Sequence, residues 1–259
     1  MPGGIKESFP QQEGNKMSSE NEIIHSIEEI ISRNPQLFLD YDGTLVPIIK
    51  DPQKNQSDGE LVKLISLLNF KLEIYIITGR EVGDILNFLG EYNIIGLHGS
   101  VFHFSGETIY IPQFSTYVAL FNKIYLNIEY LQQKFHGLRI YNKTGSILFH
   151  LGNIKNQELS SIIYKIASFL AMRYNVELYS GIDIIELRIP DVNKGVAINH
   201  IRNKNRPAII IGDDRTDEDS FIKNPDAITI KVGQGETHAR YVIGYQSVRP
   251  LLWKLAKIL

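Results

Sequence analysis

The chain has 259 residues, 43% hydrophobic and 22% charged, with a formal net charge of −2 and no cysteine. That length supports one full core and a smaller second lobe, and the near-neutral balance offers no basic stripe for a nucleic-acid backbone or an anionic membrane surface, so neither is expected as a partner. Without cysteine, disulfide frameworks, thiolate nucleophiles and cysteine-based zinc sites are excluded, and any metal must be held by oxygen or imidazole.

The first residues, Met1 to Asn21, are polar, with scattered Gly, Pro and Gln. They lack the apolar stretch of a signal peptide and read as a disordered arm. No segment has the apolar length needed to span a bilayer, so a cytoplasmic protein is expected. Residues 22–33 place isoleucines at 23, 24, 27, 30 and 31, the spacing of an amphipathic packing helix. Short, almost wholly apolar runs follow at 37–39, 74–77, 94–97 and 208–211. Such runs fit strands buried on both faces of a parallel sheet. Helical stretches around 59–70, 81–89, 195–203 and 216–223 alternate with them, which predicts a doubly wound, mainly parallel α/β core over 22–103 and 188–259. Between 104 and 187 the rhythm changes to Tyr-, Ile- and Phe-rich strands near 108–111, 138–142, 146–151, 176–179 and 183–188, with helices near 117–135 and 155–173. This reads as an inserted α+β lobe.

The run at 37–39 stops at two aspartates, Asp40 and Asp42, followed by Gly43. A calcium loop beginning at Asp40 would need glycine where Leu45 stands and glutamate where Asp51 stands. A P-loop string and a dinucleotide fingerprint are both missing. Three other polar clusters adjoin the core elements: Thr78-Gly79-Arg80, Lys194-Gly195, and the string from Gly212 to Asp219. In open α/β sheets ligands bind beyond the carboxyl ends of the strands, so these clusters should converge on Asp40 and Asp42. Converging carboxylates suit a hard cation such as Mg²⁺, held by Asp40 and Asp213 with Asp214 or Asp217. A carboxylate so placed can attack phosphorus. The Thr78 hydroxyl and the Lys194 ammonium would hold phosphoryl oxygens, and Asp42 could protonate a leaving alcohol and then activate water.

Those residues resemble the haloacid dehalogenase superfamily, through Asp40-x-Asp42-Gly43-Thr44, Thr78, Lys194 and Gly212-Asp213-Asp214, over nearly the whole chain after residue 35. Within it the chain is similar to the trehalose-6-phosphate phosphatase family, especially in Gly-Asp-Asp-Arg-Thr-Asp-Glu-Asp at 212–219 and in His98-Gly99. The resemblance implies a Rossmann-like core with an inserted cap, and Mg²⁺-dependent hydrolysis of a sugar phosphate, trehalose 6-phosphate, through an aspartyl phosphate. Asp40 would be nucleophile and Asp42 general acid and base. The metal set would comprise Asp40, Asp42, Asp213, Asp214 and Asp217, and the phosphate set Thr78, Gly79 and Lys194. The cap would offer Lys143, Glu186 and Arg188 to the sugar, with His98 near the crevice. Tyr141 stands where that family carries Glu, and His150-Leu151-Gly152 where it often carries His-Tyr-Arg. A phosphatase of another sugar phosphate, a phosphomutase and a non-catalytic phosphosugar-binding protein are the competing readings.

Overall fold

A computed structural model describes residues 17–49, 57–181 and 183–259. Its strands in chain order are β1 Gln36–Asp40, β2 Glu73–Ile77, β3 Asn93–Gly96, β4 Val101–Phe104, β5 Glu107–Tyr110, β6 Arg139–Lys143, β7 Ser146–His150, β8 Glu177–Gly181, β9 Ile184–Arg188, β10 Ala208–Gly212, β11 Ile228–Val232 and β12 Tyr241–Ile243. Eight form one sheet in the order β12-β11-β10-β1-β2-β3-β4-β5, and β6 to β9 form a second. The six strands from β12 to β3 pair in parallel. Counted along the chain their order is 3-2-1-4-5-6, the doubly wound order whose switch point lies between the first and fourth strands. Here that point lies between β1 and β10.

Every residue of β1, β10 and β11 is buried, because helices cover both faces. The helices α1 Glu20–Ile31, α2 Gly59–Lys71, α3 Val82–Leu89 and α9 Tyr245–Ile258 contribute to the larger core, with Leu37, Leu39, Ile74 and Ile76. On the other face Phe38, Tyr75 and Ile210 pack against Ala197 and Ile198 of α7 Lys194–Ile201 and Phe221 of α8 Arg215–Lys223. The second sheet, ordered β6-β7-β9-β8, is wholly antiparallel. Helices α4 Phe114–Ile128, α5 Leu131–Lys134 and α6 Gln157–Tyr174 complete this cap. Ile140, Ile147, Phe149, Ile185 and Leu187 are buried in one cluster with Phe121, Ile124, Ile163 and Ala167 of α4 and α6. Alternation along the strands puts the aligned rows Tyr141, Leu148, Glu186, Tyr179 and Lys143, Ser146, Arg188, Glu177 on the other face.

Three sequence expectations are corrected. The strand expected near 108–111 is β5, which pairs antiparallel with β4 on the edge of the large sheet, so the cap elements begin at Phe114 rather than 104. The Ser105-Gly106 turn that joins them holds both residues at positive φ, 53° and 81°, the geometry of a tight hairpin. The helix expected over 117–135 divides into α4 and α5. The N-terminal arm ends before residue 21: the Ser18 N–H donates to the Val242 carbonyl at 2.7 Å, and Ser19 and Glu22 form a capping box that starts α1. The rest of that expectation, residues 1–16, lies outside the described residues. Among the described residues no helix is long and apolar enough to cross a membrane.

Helices α7 and α8 cross at Gly195, where a Cβ would collide with the Asp219 carbonyl oxygen. Alanine is the better helix former by roughly 1 kcal/mol, but this backbone contact cannot yield without separating the helices, at about 1–3 kcal/mol or more. Gly195→Ala is therefore expected to lower unfolding free energy, read as an earlier midpoint in urea denaturation. A midpoint equal to or above wild type would show that the crossing is loose.

Candidate functional site

Because β10, β1 and β2 are parallel neighbours, their carboxyl ends bring Asp213, Asp40 and Thr78 to one edge. Lys194, the first residue of α7, is buried there and donates to Asp40 Oδ1 at 2.6 Å and Asp217 Oδ1 at 2.8 Å. Asn193 caps that helix by accepting from the Val196 N–H, which fixes where the lysine side chain departs. Asp40, Asp213 and Asp217 each present a carboxylate oxygen within 4.8 Å of the others. Gly43, at φ 88°, lets the β1 loop pass so close to Asp213 that any Cβ would strike its carboxylate. Thr44 Oγ1 donates to Asp213 Oδ1 at 3.4 Å.

The acidic residues are not equivalent. Asp217 Oδ1 accepts from Lys194, and its Oδ2 accepts from the Asp213 and Asp214 backbone N–H groups, both at 3.1 Å. Asp214 Oδ1 accepts from the Thr216 N–H and Oγ1 and the Asp217 N–H, capping α8. Asp40 Oδ2 is buried without a hydrogen-bond partner. Burial, together with Asp213 and Asp214, pushes the Asp40 carboxyl up to about 8 although Lys194 opposes the shift. Burial, Asp217 and Asp214 push Asp213 up to about 6. Three carboxylates around one ammonium carry excess negative charge, and oxygen donors of this kind suit a hard divalent cation. The crowded carboxylates and the orphaned Asp40 oxygen fit such an ion, which Asp40 and Asp213 would ligate.

Asp42 lies apart from this cluster. Its carboxylate accepts from Arg80 Nε and Nη2 at 2.6 Å each, a bidentate pair. The Arg80 guanidinium also lies over the rings of Tyr41 and Phe88. Thr78 is buried, and its Oγ1 accepts from the Arg80 N–H at 3.1 Å.

A second polar group faces this edge from the cap. Buried Glu186 accepts at Oε1 from Ser146 Oγ at 2.8 Å and Lys143 Nζ at 3.4 Å, and at Oε2 from Arg188 Nε at 2.7 Å. Burial alone would raise its pKa, but Lys143 and Arg188 outweigh it and hold the carboxyl near 2. These residues and Gly79 line one cleft with His98. His98 sits at φ 56°, ψ 22°; its N–H donates to the Thr78 carbonyl at 2.9 Å. The imidazole lies so close to Gly79 that a Cβ there would collide with it. Burial, helped by Arg188, lowers His98 to about 3, so the ring is neutral.

Asp40, Thr78, Lys194, Asp213 and Asp217 thus gather at the strand ends, and Gly79, His98, Lys143, Glu186 and Arg188 line one cleft that His98 joins to Thr78. Sequence reasoning missed Ser146 and Lys231. Lys231 is buried on β11 and donates to the Asp213 carbonyl. Its signal is a single cation in the otherwise uncharged run Ile-Thr-Ile-Lys-Val, whereas Ser146 carried none.

A family model described as Trehalose-phosphatase matches residues 38–240. A trehalose-6-phosphate phosphatase-related protein of Thermoplasma acidophilum is 43% identical over 218 residues, covering 83% of this chain and 94% of that one. Trehalose-phosphatase of Schizosaccharomyces pombe is 27% identical over 217 residues, covering 76% of this chain and 26% of its own length. Among solved structures, that of a trehalose-6-phosphate phosphatase-related protein superposes with a TM-score of 0.77 at 41% identity, covering 86% of this chain and 97% of that one. The C-terminal domain of the Candida albicans trehalose-6-phosphate phosphatase shares the fold, with a TM-score of 0.77 at 22% identity over 94% and 98% of the two chains.

Two groups in this cleft, His98 of the core and Glu186 of the cap, cost stability as pH falls. His98 falls from an ordinary 6.5 to about 3 on folding, so the unfolded chain binds the extra proton and stability drops as pH falls below 6.5. Glu186 falls from 4.5 to about 2, so its contribution is present above 4.5 and is lost below it. With chelator present, the raised carboxyls of Asp40 and Asp213 take up protons in the same interval and oppose this loss, so His98 is read as a difference: between pH 6.5 and 4.5 the unfolding free energy of wild type relative to His98→Gln should fall by up to about 1.4 kcal/mol per pH unit. The variant should therefore gain stability more steeply than wild type as pH falls through that interval. An unchanged slope in the variant would show that the imidazole is not the group responsible.

Proposed function

The chain belongs to the trehalose-phosphatase family, and from that premise we propose that it hydrolyses trehalose 6-phosphate to trehalose and phosphate, with Mg²⁺, through an aspartyl phosphate on Asp40. The observation that carries the reading is the facing pair of polar groups, Asp40, Lys194 and Asp213 at the strand ends and Lys143, Glu186 and Arg188 on the cap. Asp40 and Asp213 would hold the Mg²⁺. When bound it supplies positive charge that neutralises the carboxylates and the phosphoryl oxygens.

Asp40 is placed to attack because Lys194 occupies only one of its oxygens, leaving Oδ2 unpartnered. Lys194 and the Thr78 hydroxyl bind phosphoryl oxygens as charge builds on them. Asp42 protonates the departing sugar oxygen and then takes a proton from the water that cleaves the aspartyl phosphate. To do so it must leave the Arg80 pair seen here. Asp217 and Asp214 support the site from behind: the first anchors Lys194 and the metal loop, the second caps α8. Glu186, locked as a carboxylate between Lys143 and Arg188, would accept sugar hydroxyl hydrogens, while Lys143 donates.

A phosphatase for a different sugar phosphate is the second reading. It is favoured by Tyr141, half exposed on the same cap row as Glu186, where the family resemblance leads one to expect an acid. Phosphate release from a panel of sugar phosphates separates the two: trehalose 6-phosphate should exceed sucrose 6-phosphate and glucose 6-phosphate by ~10-fold or more in kcat/KM, and equal turnover would remove the trehalose assignment. Chelator should abolish release and Mg²⁺ restore it. Asp40→Asn should cost ~10³-fold or more in kcat with its unfolding transition retained; near wild-type turnover would rule out Asp40 as nucleophile.

A further inference from the structure

Among the described residues, side-chain hydrogen bonds from Thr144 and Arg215 join cap and core, each beside a site loop. Thr144, in the β6–β7 turn, donates to Glu81, the residue after Arg80. Arg215, the residue after Asp214, donates through Nη1 to the Ser180 carbonyl on β8 at 2.8 Å. The Arg215 guanidinium carbon also lies 5.7 Å from the Tyr179 ring centroid, and that of Arg188 lies 3.6 Å from the same ring. Both contacts are within the range of cation–π attraction. Arg188 in turn chelates Glu186. An unbroken path therefore runs from Asp214 through Arg215, Tyr179 and Arg188 to Glu186 and Lys143.

Neither core residue serves its own helix. Glu81 is the N-cap of α3 yet makes no capping bond. Arg215 places a cation in the first turn of α8, where the helix dipole favours anions such as the adjoining Asp217 and Glu218. These side chains are spent on the cap instead.

We propose that Arg215 is a positioning residue that latches the cap to the metal loop, setting Glu186 and Arg188 at the distance from Asp40 that a sugar monophosphate spans. The proposal rests on the phosphatase reading for its substrate but not for the latch itself. Arg215 touches no reacting atom. Its guanidinium fixes the register of β8 over the Asp213–Asp214 loop, and through the stacked Tyr179 it holds Arg188 flat behind Glu186. A small aryl phosphate makes no use of that wall, whereas a phosphorylated sugar does.

The absence of cysteine permits a direct test on the full chain. Dyes on Lys63→Cys of α2 and Lys165→Cys of α6, both exposed, report the core–cap distance by energy transfer. Arg215→Ala should shift the distribution to lower transfer, and Arg215→Lys should restore part of it, since an ammonium can reach the carbonyl but cannot stack. In parallel, Arg215→Ala should lower kcat/KM for trehalose 6-phosphate by ~10-fold or more, chiefly through KM, while p-nitrophenyl phosphate turnover stays within about twofold. Tyr179→Ala should lower the energy transfer alike, and the double variant should shift it little beyond either single one. Unchanged energy transfer, or equal losses on both substrates, would overturn the latch. If the wild type hydrolyses the aryl phosphate but no sugar phosphate, the assigned substrate fails, and the energy-transfer shift still decides the latch.

Discussion

A single buried ammonium organises this molecule's chemistry. Lys194 has almost no contact with solvent and lies between Asp40, at the end of β1, and Asp217, in α8. Removing an ammonium from water is costly unless its donors are matched by close anions, so it can exist here only because two carboxylates meet it. Those carboxylates come from elements on either side of the sheet's switch point. Lys194, at the start of α7, thereby ties the β1 loop to the Asp213–Asp217 loop, and the close α7–α8 crossing at Gly195 keeps that tie short. Its charge is insufficient for the anions around it. Burial and that imbalance raise the carboxyls of Asp40 and Asp213 to about 8 and about 6 in the metal-free site, and a divalent cation is their natural complement.

The acidic residues divide their work by which oxygens are already occupied. Asp217 has both oxygens engaged by an ammonium and two backbone N–H groups, and Asp214 is committed to its helix. Asp217 cannot turn away without breaking those bonds, whereas Asp214 commits its Oδ1 to the helix cap. Asp40 keeps one oxygen without a hydrogen-bond partner, and Asp213 Oδ1 receives a long hydroxyl contact from Thr44. The ability to react is thus located at the carboxylates the fold satisfies least, while the better satisfied ones hold them in place.

How much of this was legible in the sequence depends on whether the signal was local. The uninterrupted runs at 37–39 and 208–211 predicted doubly covered parallel strands because burial on both faces removes alternation, and β1 and β10 are buried throughout. Asp40 and Asp213 stood out because charge follows apolar sequence abruptly at those strands' ends. The β4–β5 edge was misassigned to the cap because an edge strand and a cap strand share the same Tyr- and Ile-rich composition; only pairing distinguishes them. The Asp42–Arg80 pair joins residues 38 apart, and spacing carries no trace of it. Nor does the sequence show that both Asp217 oxygens are engaged, since that depends on Lys194 and on the backbone N–H groups of Asp213 and Asp214.

The two halves of the site have opposite electrostatic characters. The core side carries an excess of carboxylates around Lys194, whereas the cap side sets Lys143 and Arg188 against Glu186, with Glu177 beside Arg188 and Arg215 close behind. A cation-charged core and a cationic cap both draw a phosphate monoester into the cleft, yet only the cap presents a fixed acceptor for hydroxyl groups. Glu186 can play that part because its neighbours keep it ionised despite burial, and His98 stays neutral beside it because burial and Arg188 suppress its protonation. Phosphoryl chemistry therefore belongs to the core loops, whose carboxylates would be of little use to a sugar hydroxyl once a metal engages them. On the proposed reading, discrimination among sugars would fall to the inserted sheet, where Tyr141, Leu148, Glu186 and Tyr179 share one row and a change at any of them would alter the wall without disturbing Lys194.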